Sequence, residues 1–431
     1  MNLGKILFLL LVLNILLTMT IFGQRYAVTN GNWDGAIWAS TSGGVAGSAS
    51  TPTLTDDVII NAGITVTVNS ATAKCHSVSF GDKLSSFSLD PGSVLSVYGN
   101  FTIADTLQKA FATWSPGAKL RFAGSESQIL SGWSRALHSS DSTILMEVEV
   151  EKTGDSVKTS GNDMKLSIGS SLHIKSGNFV LGYRDDLNGR TLDGNTQPTI
   201  RVDSGGVFKM NGSLSSIRSG VSGNSPIGKM TVKGTAYFST TSSIGISFDG
   251  VDVINGGNLR LESFSSTSPR NVKLDTVNVY EGATIWNGSS INFWDSLGVT
   301  VVNLDTGAVY KVTTATTNFP SKFNNNGTVR YQRTAGDSSQ TIVNMDYHRL
   351  EVSFGGIKTW TLNGDYTIKD SLEINNSANL VLTALSEQTL TLKNVLRLTS
   401  GQIDNSDGNI TLALADDATI SRATGKILLP P

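Results

Sequence analysis

From Asp57 onward, apolar residues recur at every second position over short runs. Val58 and Ile60, then Ile64, Val66 and Val68, lie in VIINAGITVTV. Val78 and Phe80 follow, then Phe87 and Leu89, then Leu95, Val97, Phe101 and Ile103 in SVLSVYGNFTI. Alternation of this kind predicts strands with one buried face, and the intervening Asn-Ala-Gly, Gly-Asp, Asp-Pro-Gly and Gly-Asn phrases predict tight turns. Equivalent strands are expected back after roughly 17–20 residues, a solenoid-like period. The rhythm resumes at Lys119–Phe122 and Thr143–Val150, continues through Lys165–Ile174, Val202–Met210 and Asn258–Glu262, and persists to the last residue. One segment departs from it. In Ala104–Trp114, the residues Leu107, Ala110, Phe111 and Trp114 fall at i, i+3, i+4, i+7 behind a capping Asp105, so a short helix and an irregular excursion both stand.

A stretch of text is used twice. Val157–Ile174 and Ile357–Ile374 coincide at Val157/Ile357, Lys158/Lys358, Thr159/Thr359, Ile168/Ile368, Ser171/Ser371, Leu172/Leu372 and Ile174/Ile374. Upstream, Gln128 and Gln340 sit in similar phrases at a larger offset (212 against 200), so the first copy carries about twelve extra residues, among them Trp133, His138 and Asp141. Internal repetition of short strands points to stacked rungs. Each rung covers its neighbour's backbone polar groups, and many together bury one continuous core. The expected fold is therefore all-β, a right-handed parallel β-helix (β-solenoid) behind an N-terminal signal peptide. Tandem β-sandwiches are the alternative, because their strands also alternate. The expected layout is a signal peptide over 1–23, a cap and first rungs over 24–105, β-helix over 106–320 with a polar loop at 183–198, and the second copy of the module over 321–431. The tail keeps its strand rhythm, so further modules are expected beyond it.

Composition sharpens this picture. The 431 residues include 44 Gly but only 9 Pro, and 16% are charged. That suits many short strands joined by tight polar turns. A net charge of −2 lacks the basic excess of a nucleic-acid binder. Lys5 followed by the apolar run Ile6–Leu17, with small Gly23 at the cut, has the form of a secretory leader. Ile6–Phe22 falls short of the roughly 20 residues a membrane span needs, so the mature chain is expected to have no transmembrane segment. Cys75 is the one cysteine; no intrachain disulfide can form, and a packing role suits it better than a nucleophilic one. Trp33 and Trp38 near the mature start read as cover for an open end of the stack in preference to a sugar platform.

Candidate chemistry is sparse. The four histidines form no HExxH, no GxSxG occurs, and no nucleotide-binding glycine pattern precedes a helix. The Asp56-Asp57 and Asp416-Asp417 pairs precede strands, where Asp is an ordinary turn residue. The richest loop holds Tyr183, Arg184, Asp185, Asp186, Asn188, Arg190 and Asp193. It mixes both charge signs around an Asn-Gly turn, and these are the candidate ligand or ion contacts. Calcium could be held by paired carboxylates, but the spacing does not match a calcium loop, so no cofactor and no metal is expected. Trp133, Trp286 and Trp294 are the candidate sugar-stacking residues, set against the commoner fate of a core aromatic.

The opening Trp33…Trp38…TDDVIINAGITVTV…GSVLSVYGNFTI resembles the first module of large secreted β-helix proteins of Gram-negative bacteria that use type IX secretion. GAKLRFAGSESQILSG, the phrase from Gly327 to Ile374 and the closing DDATISRATGKI resemble their internal modules. The resemblance implies an adhesin-like protein, secreted or on the outer cell surface, whose partners are glycans or a cell surface and not nucleic acid or nucleotide. It also implies fold kinship with polysaccharide hydrolases and lyases, although their paired Asp with a following His-Gly, and their Arg-x-Lys element, are not found in this sequence. The expected function is a structural or adhesive scaffold without catalysis, and the alternative is a polysaccharide-binding or polysaccharide-degrading β-helix.

Overall fold

A computed structural model describes residues 22–82, 84–103, 110–132, 147–160, 164–166, 170–182, 186–189, 199–210, 216–219, 227–239, 246–262, 272–288, 301–315, 319–333 and 339–430. The described elements are all strands. The chain forms two compact units, Met1–Asn162 and Asp163–Pro431.

In the first unit the chain coils through three walls. One stacks Gly23–Ala27, Asp56–Ile60, Val78–Phe80, Phe101–Thr102 and Gln128–Ser131. A second stacks Gly31–Asn32, Thr65–Val68, Ser86–Leu89 and Phe111–Trp114. The third stacks Ala73–Cys75, Val94–Val97, Lys119–Gly124 and the start of Glu147–Ser160. Sequence neighbours are thus spatially separated, and each strand pairs in parallel with its counterpart one turn later. Parallel pairing through every wall excludes sandwiches, whose strands run antiparallel. A strand returning in parallel beside itself favours the right-handed coil. Among the described strands, the one antiparallel pairing joins Gly23–Ala27 to Trp38–Ala39, beside which Trp33 packs against Trp38 and Phe87, all three buried.

The alternating residues behave as their spacing requires, except Ile64, which precedes the strand Thr65–Val68 and is only half-buried. Val58, Ile60, Val66, Val68, Val78, Phe80, Phe87, Leu89, Leu95, Val97, Phe101 and Ile103 are all buried. Each such aliphatic side chain contributes about 1.5–3 kcal/mol when fully removed from water. The turn length differs from expectation. The offset between paired residues is 20 from Val58 to Val78 and 29 from Gln128 to Val157, because turns absorb insertions while strands stay in register. The helix-like spacing before Trp114 also has a strand explanation. Phe111–Trp114 pairs with Ser86–Leu89, and a register shift between Phe111 and Thr113 turns both Phe111 and Trp114 inward. The bulge supplies the extra residue that mimics a helical step; residues 104–109 lie outside the described part.

The second unit repeats the principle. Its longest wall runs from Thr199–Met210 through Thr235–Ser239, Asn258–Glu262, Thr284–Gly288, Val309–Val312, Thr328–Gln332, Tyr347–Ser353, Tyr366–Ile374 and Val395–Leu398 to Thr419–Arg422. Inside, Phe208, Phe238 and Phe248 pack as tilted rings with centroids 5.9 and 6.0 Å apart.

The duplicated text does not fold identically. Val157 faces Gln128 and is buried, leaving Lys158 exposed. In the other copy Lys358 faces Gln340; Ile357 is 48% exposed and Lys358 only 1%. Phe354, Gly355 and Gly356 all have left-handed φ, and this tight turn shifts the strand by one residue, which inverts its faces. Downstream the copies agree again, with Leu172/Leu372 and Ile174/Ile374 all buried. The buried ammonium of Lys358 donates to the carbonyls of Phe354 and Gly355 and so closes the turn that buried it.

This inversion makes two lysines in matching text unequal. Lys358→Ala removes both hydrogen bonds that close the turn, together with a buried side chain, and is expected to cost about 1–3 kcal/mol, whereas Lys158→Ala stays within about 0.5 kcal/mol. Urea midpoints of the two variants measure the difference, and equal midpoints would refute the inverted register.

Candidate functional site: a cation–aromatic ladder

Along the long wall of the second unit, parallel register places Lys209, Tyr237, Arg260, Trp286, Lys311 and Arg330 in one outward column. Each sits between inward, buried neighbours on its strand, such as Ile285 and Asn287 about Trp286 and Val329 and Tyr331 about Arg330. Their orientation is therefore set by core burial two atoms' breadth away, through the period-two pleat. Lys209 lies 5.7 Å from the Tyr237 ring centre, and the Arg260 guanidinium 4.8 Å from the same ring. Arg260 is also 4.3 Å from the centre of Trp286, and the Lys311 ammonium 4.9 Å from it. From Lys209 to Lys311 cation and ring alternate rung by rung, each ring's quadrupole facing a positive charge. Arg260 further donates to the Tyr237 hydroxyl at 3.1 Å, and Trp286 Nε1 to Thr313 Oγ1 at 3.2 Å.

The column carries uncompensated charge. Arg260 pairs with Glu262 at 2.5 Å and Arg330 with Glu351 at 2.6 Å. Lys209 and Lys311 make no ion pair among the described residues. Partial burial, with Arg330 and Arg260 nearby, outweighs Glu351 and holds the Lys311 ammonium below its ordinary pKa. An anion placed here would meet a charge short of counterions.

A second outward ladder occupies the neighbouring wall. Asn278 donates to Asp252 at 2.9 Å, Asn303 to Asn278 at 2.8 Å, and Asn324 to Asn303 at 2.7 Å, with Lys229 on Asp252 at 2.6 Å. An open polar groove of about 690 Å³ lies beside its end, lined by Asn278, Tyr280, Asn303, Asp305, Asn324, Asn325, Asn326 and Lys369 among others. Both amide atoms of Asn325 are buried without a hydrogen-bond partner among the described residues.

Other constellations resolve into structure. Asp57, His76 and Ser77 meet, but Asp57 (2.7 Å) and Ser77 (3.1 Å) both contact His76 Nδ1. A relay needs the acid on one ring nitrogen and the hydroxyl on the other, so this is no triad. Asp56 is 3% exposed and holds Arg25 and the Thr53 turn. Asp416 and Asp417 are exposed turn residues. Burial, reinforced by Asp57 and Asp56, raises the Cys75 thiol far above its ordinary pKa, which keeps it protonated and unreactive. Among the described residues no group of three or more His, Cys, Asp or Glu could hold a metal ion. Nor is any helix there long and apolar enough to cross a membrane.

Of the residues singled out in the sequence, Trp286 is the one brought into the ladder. It is half-buried, with both neighbours in the column lying over its ring, so its edge is what solvent meets. Asp186 and Asn188 belong to a strand, Asp186–Gly189, paired with Met164–Leu166 and Ser216–Ser219. The Asn-Gly pair there is therefore part of a rung, because tertiary pairing overrides the turn preference of the dipeptide. Tyr183, Arg184, Asp185, Arg190, Asp193, Trp133 and Trp294 lie outside the described residues. Tyr237, Arg260, Lys311 and Arg330 carried no motif. Their signal is positional: each follows a Gly-led turn by three or four residues, as in GTAY, GNLR, GATIW, GAVYK and GTVR. No protein-family model, no curated protein and no solved structure matches the chain. The parallel β-solenoid is of the kind the resemblance implied, and is not specific to those proteins.

The outward carboxylates also set acid stability. Burial disfavours the Asp203 carboxylate, but His173 (2.8 Å) and Arg201 (2.8 Å) outweigh it and hold its pKa below the ordinary value. Asp370 behaves likewise through Asn394 and Arg349. A depressed folded pKa contributes stability above the unfolded value of about 3.9, and that contribution is lost as pH falls through the folded pKa. The urea midpoint is expected to hold from about pH 7 to pH 5 and to drop below about pH 4. The Asp203→Asn, Asp370→Asn double variant should show a shallower drop, and an unchanged drop would contradict the assignment.

Proposed function

We propose that the chain is a secreted or cell-surface structural and adhesive β-helix scaffold without catalytic activity. The observation that carries this reading is the use made of the outward polar side chains. They are bonded from rung to rung, as in Lys119–Glu149–Arg121, Asp252–Asn278–Asn303–Asn324 and Arg330–Glu351. Side chains held in ladders stiffen a surface and present a repeating face. A reactive centre instead needs groups whose protons or lone pairs are directed at a substrate. Adhesion on such a face sums weak contacts along its length. The leader-like Lys5–Gly23 supports export, and the resemblance of the first module to secreted β-helix proteins supports a surface location. A polysaccharide-binding role is the second reading, favoured by the cation–aromatic column. Degradation is its weaker branch and would fall to Asp185, Asp186 or Asp193.

Two measurements test the first reading. Expression of the full chain in a Gram-negative host, followed by N-terminal sequencing of the exported product, is expected to start at Gln24. Incubation of that product with a panel of polyuronates and neutral polysaccharides is expected to release no reducing ends and no unsaturated products. Release that Asp185→Ala abolishes would overturn the scaffold reading.

A further inference from the structure

The column from Lys209 to Arg330 has a spacing that selects a ligand. Lys209, Arg260 and Lys311 occupy alternate rungs. Rungs lie one strand spacing apart, so these cations recur about every 9.5 Å. In an extended, two-fold, β-linked uronic acid chain, carboxylates on one side recur once per disaccharide, a similar advance. Between the cations stand Tyr237 and Trp286, half-buried, presenting ring edges and the tyrosine hydroxyl. Such side chains offer an apolar body to sugar C–H groups and a polar handle to hydroxyls. The next outward column is uncharged, with Thr235, Asn258, Thr284, Val309 and Thr328 in register, and its polar members add donors and acceptors without adding charge.

We propose that this column is a binding site for a linear anionic polysaccharide, laid along the stacking direction with its acidic groups on Lys209, Arg260 and Lys311 and its rings against Tyr237 and Trp286. The positional match favours regularly spaced carboxylates or sulfates on a sugar chain over a globular anion. At Lys311 the nearby Arg330 and Arg260 add positive charge, against Glu351 alone, and this favours a bound acid group. The column's ion pairs leave Lys209 and Lys311 available for this. Single exposed contacts are weak, so affinity comes from several engaged together, and it must fall as salt screens them. None of these residues belongs to the segment 183–198, and the proposal, which rests on the polysaccharide-binding reading, does not depend on whether the chain is catalytic.

The test uses the intact exported protein and titration calorimetry at low salt. The ligands are β-linked polymannuronate, chondroitin sulfate, a neutral β-glucan of equal length, and inorganic polyphosphate. Polymannuronate or chondroitin sulfate should bind, the glucan should not, and the preferred one identifies the acid group as carboxylate or sulfate. Binding should vanish at about 1 M salt, where screening reaches only about 3 Å. Lys209→Gln with Lys311→Gln should weaken it about tenfold or more. Among the described residues these two side chains hold no ion pair, so the variant is expected to keep the parent's circular dichroism and elution volume. Trp286→Phe should weaken the sugar and leave polyphosphate unaffected. No binding of either anionic glycan, an unchanged affinity in the double lysine variant, or polyphosphate binding as tight as the sugar would overturn the proposal.

Discussion

The structure depends on one constraint, the pairing of each strand's N–H and C=O groups with the strand one turn away. A strand cannot satisfy its own backbone, and a buried unpaired amide costs about as much as a lost hydrogen bond. In each unit the chain meets this by returning in parallel register, as Val58 over Val78 and Asn258 over Thr284 over Val309. Once that register is set, every residue acquires a fixed neighbour above and below. Inward positions become continuous aliphatic and aromatic columns. Outward positions become ladders whose chemistry is decided by which residues happen to be in line.

Register also explains where the unusual side chains sit. Gln128 and Gln340, both fully buried, each donate to two carbonyls of an adjoining turn, at Val97 and Gly99 in one case and Val312 and Thr314 in the other. Lys152 is buried with its ammonium on the carbonyls of Ala123 and Glu126 and on Gln128. These groups satisfy backbone atoms that the strand ladder leaves over at bends. Their desolvation is offset by these hydrogen bonds and, at Lys152, by Asp155 and Glu126 nearby, yet burial still outweighs them and lowers the pKa of Lys152 and Lys358. They are structural uses of polar residues that in isolation would look functional.

The outward ladders show the converse. Tyr237, Arg260, Trp286 and Lys311 are unremarkable in sequence, separated by more than twenty residues from one to the next. Stacked at one strand spacing they become a positively charged strip with rings between the charges. The ion pairs on this surface are individually slight. Their arrangement in a line is what gives the face a direction and a repeat.

Much of the fold was legible in the chain itself. Period-two alternation from Val58 to Ile103 located the strands and their buried faces, because burial on one side of a pleat leaves that mark in any sequence. The glycine and asparagine phrases located the turns, and the doubled module implied stacking. Alternation reports which face is buried but not which strand lies alongside, so everything requiring register was decided by tertiary structure. The bulge that gives Phe111–Trp114 a helical spacing belongs to this class. So does the left-handed turn at Phe354–Gly356, which buries Lys358 while leaving Lys158 in water. The cation–aromatic column belongs to it as well, since turns of different length hide from the sequence which of its residues will meet.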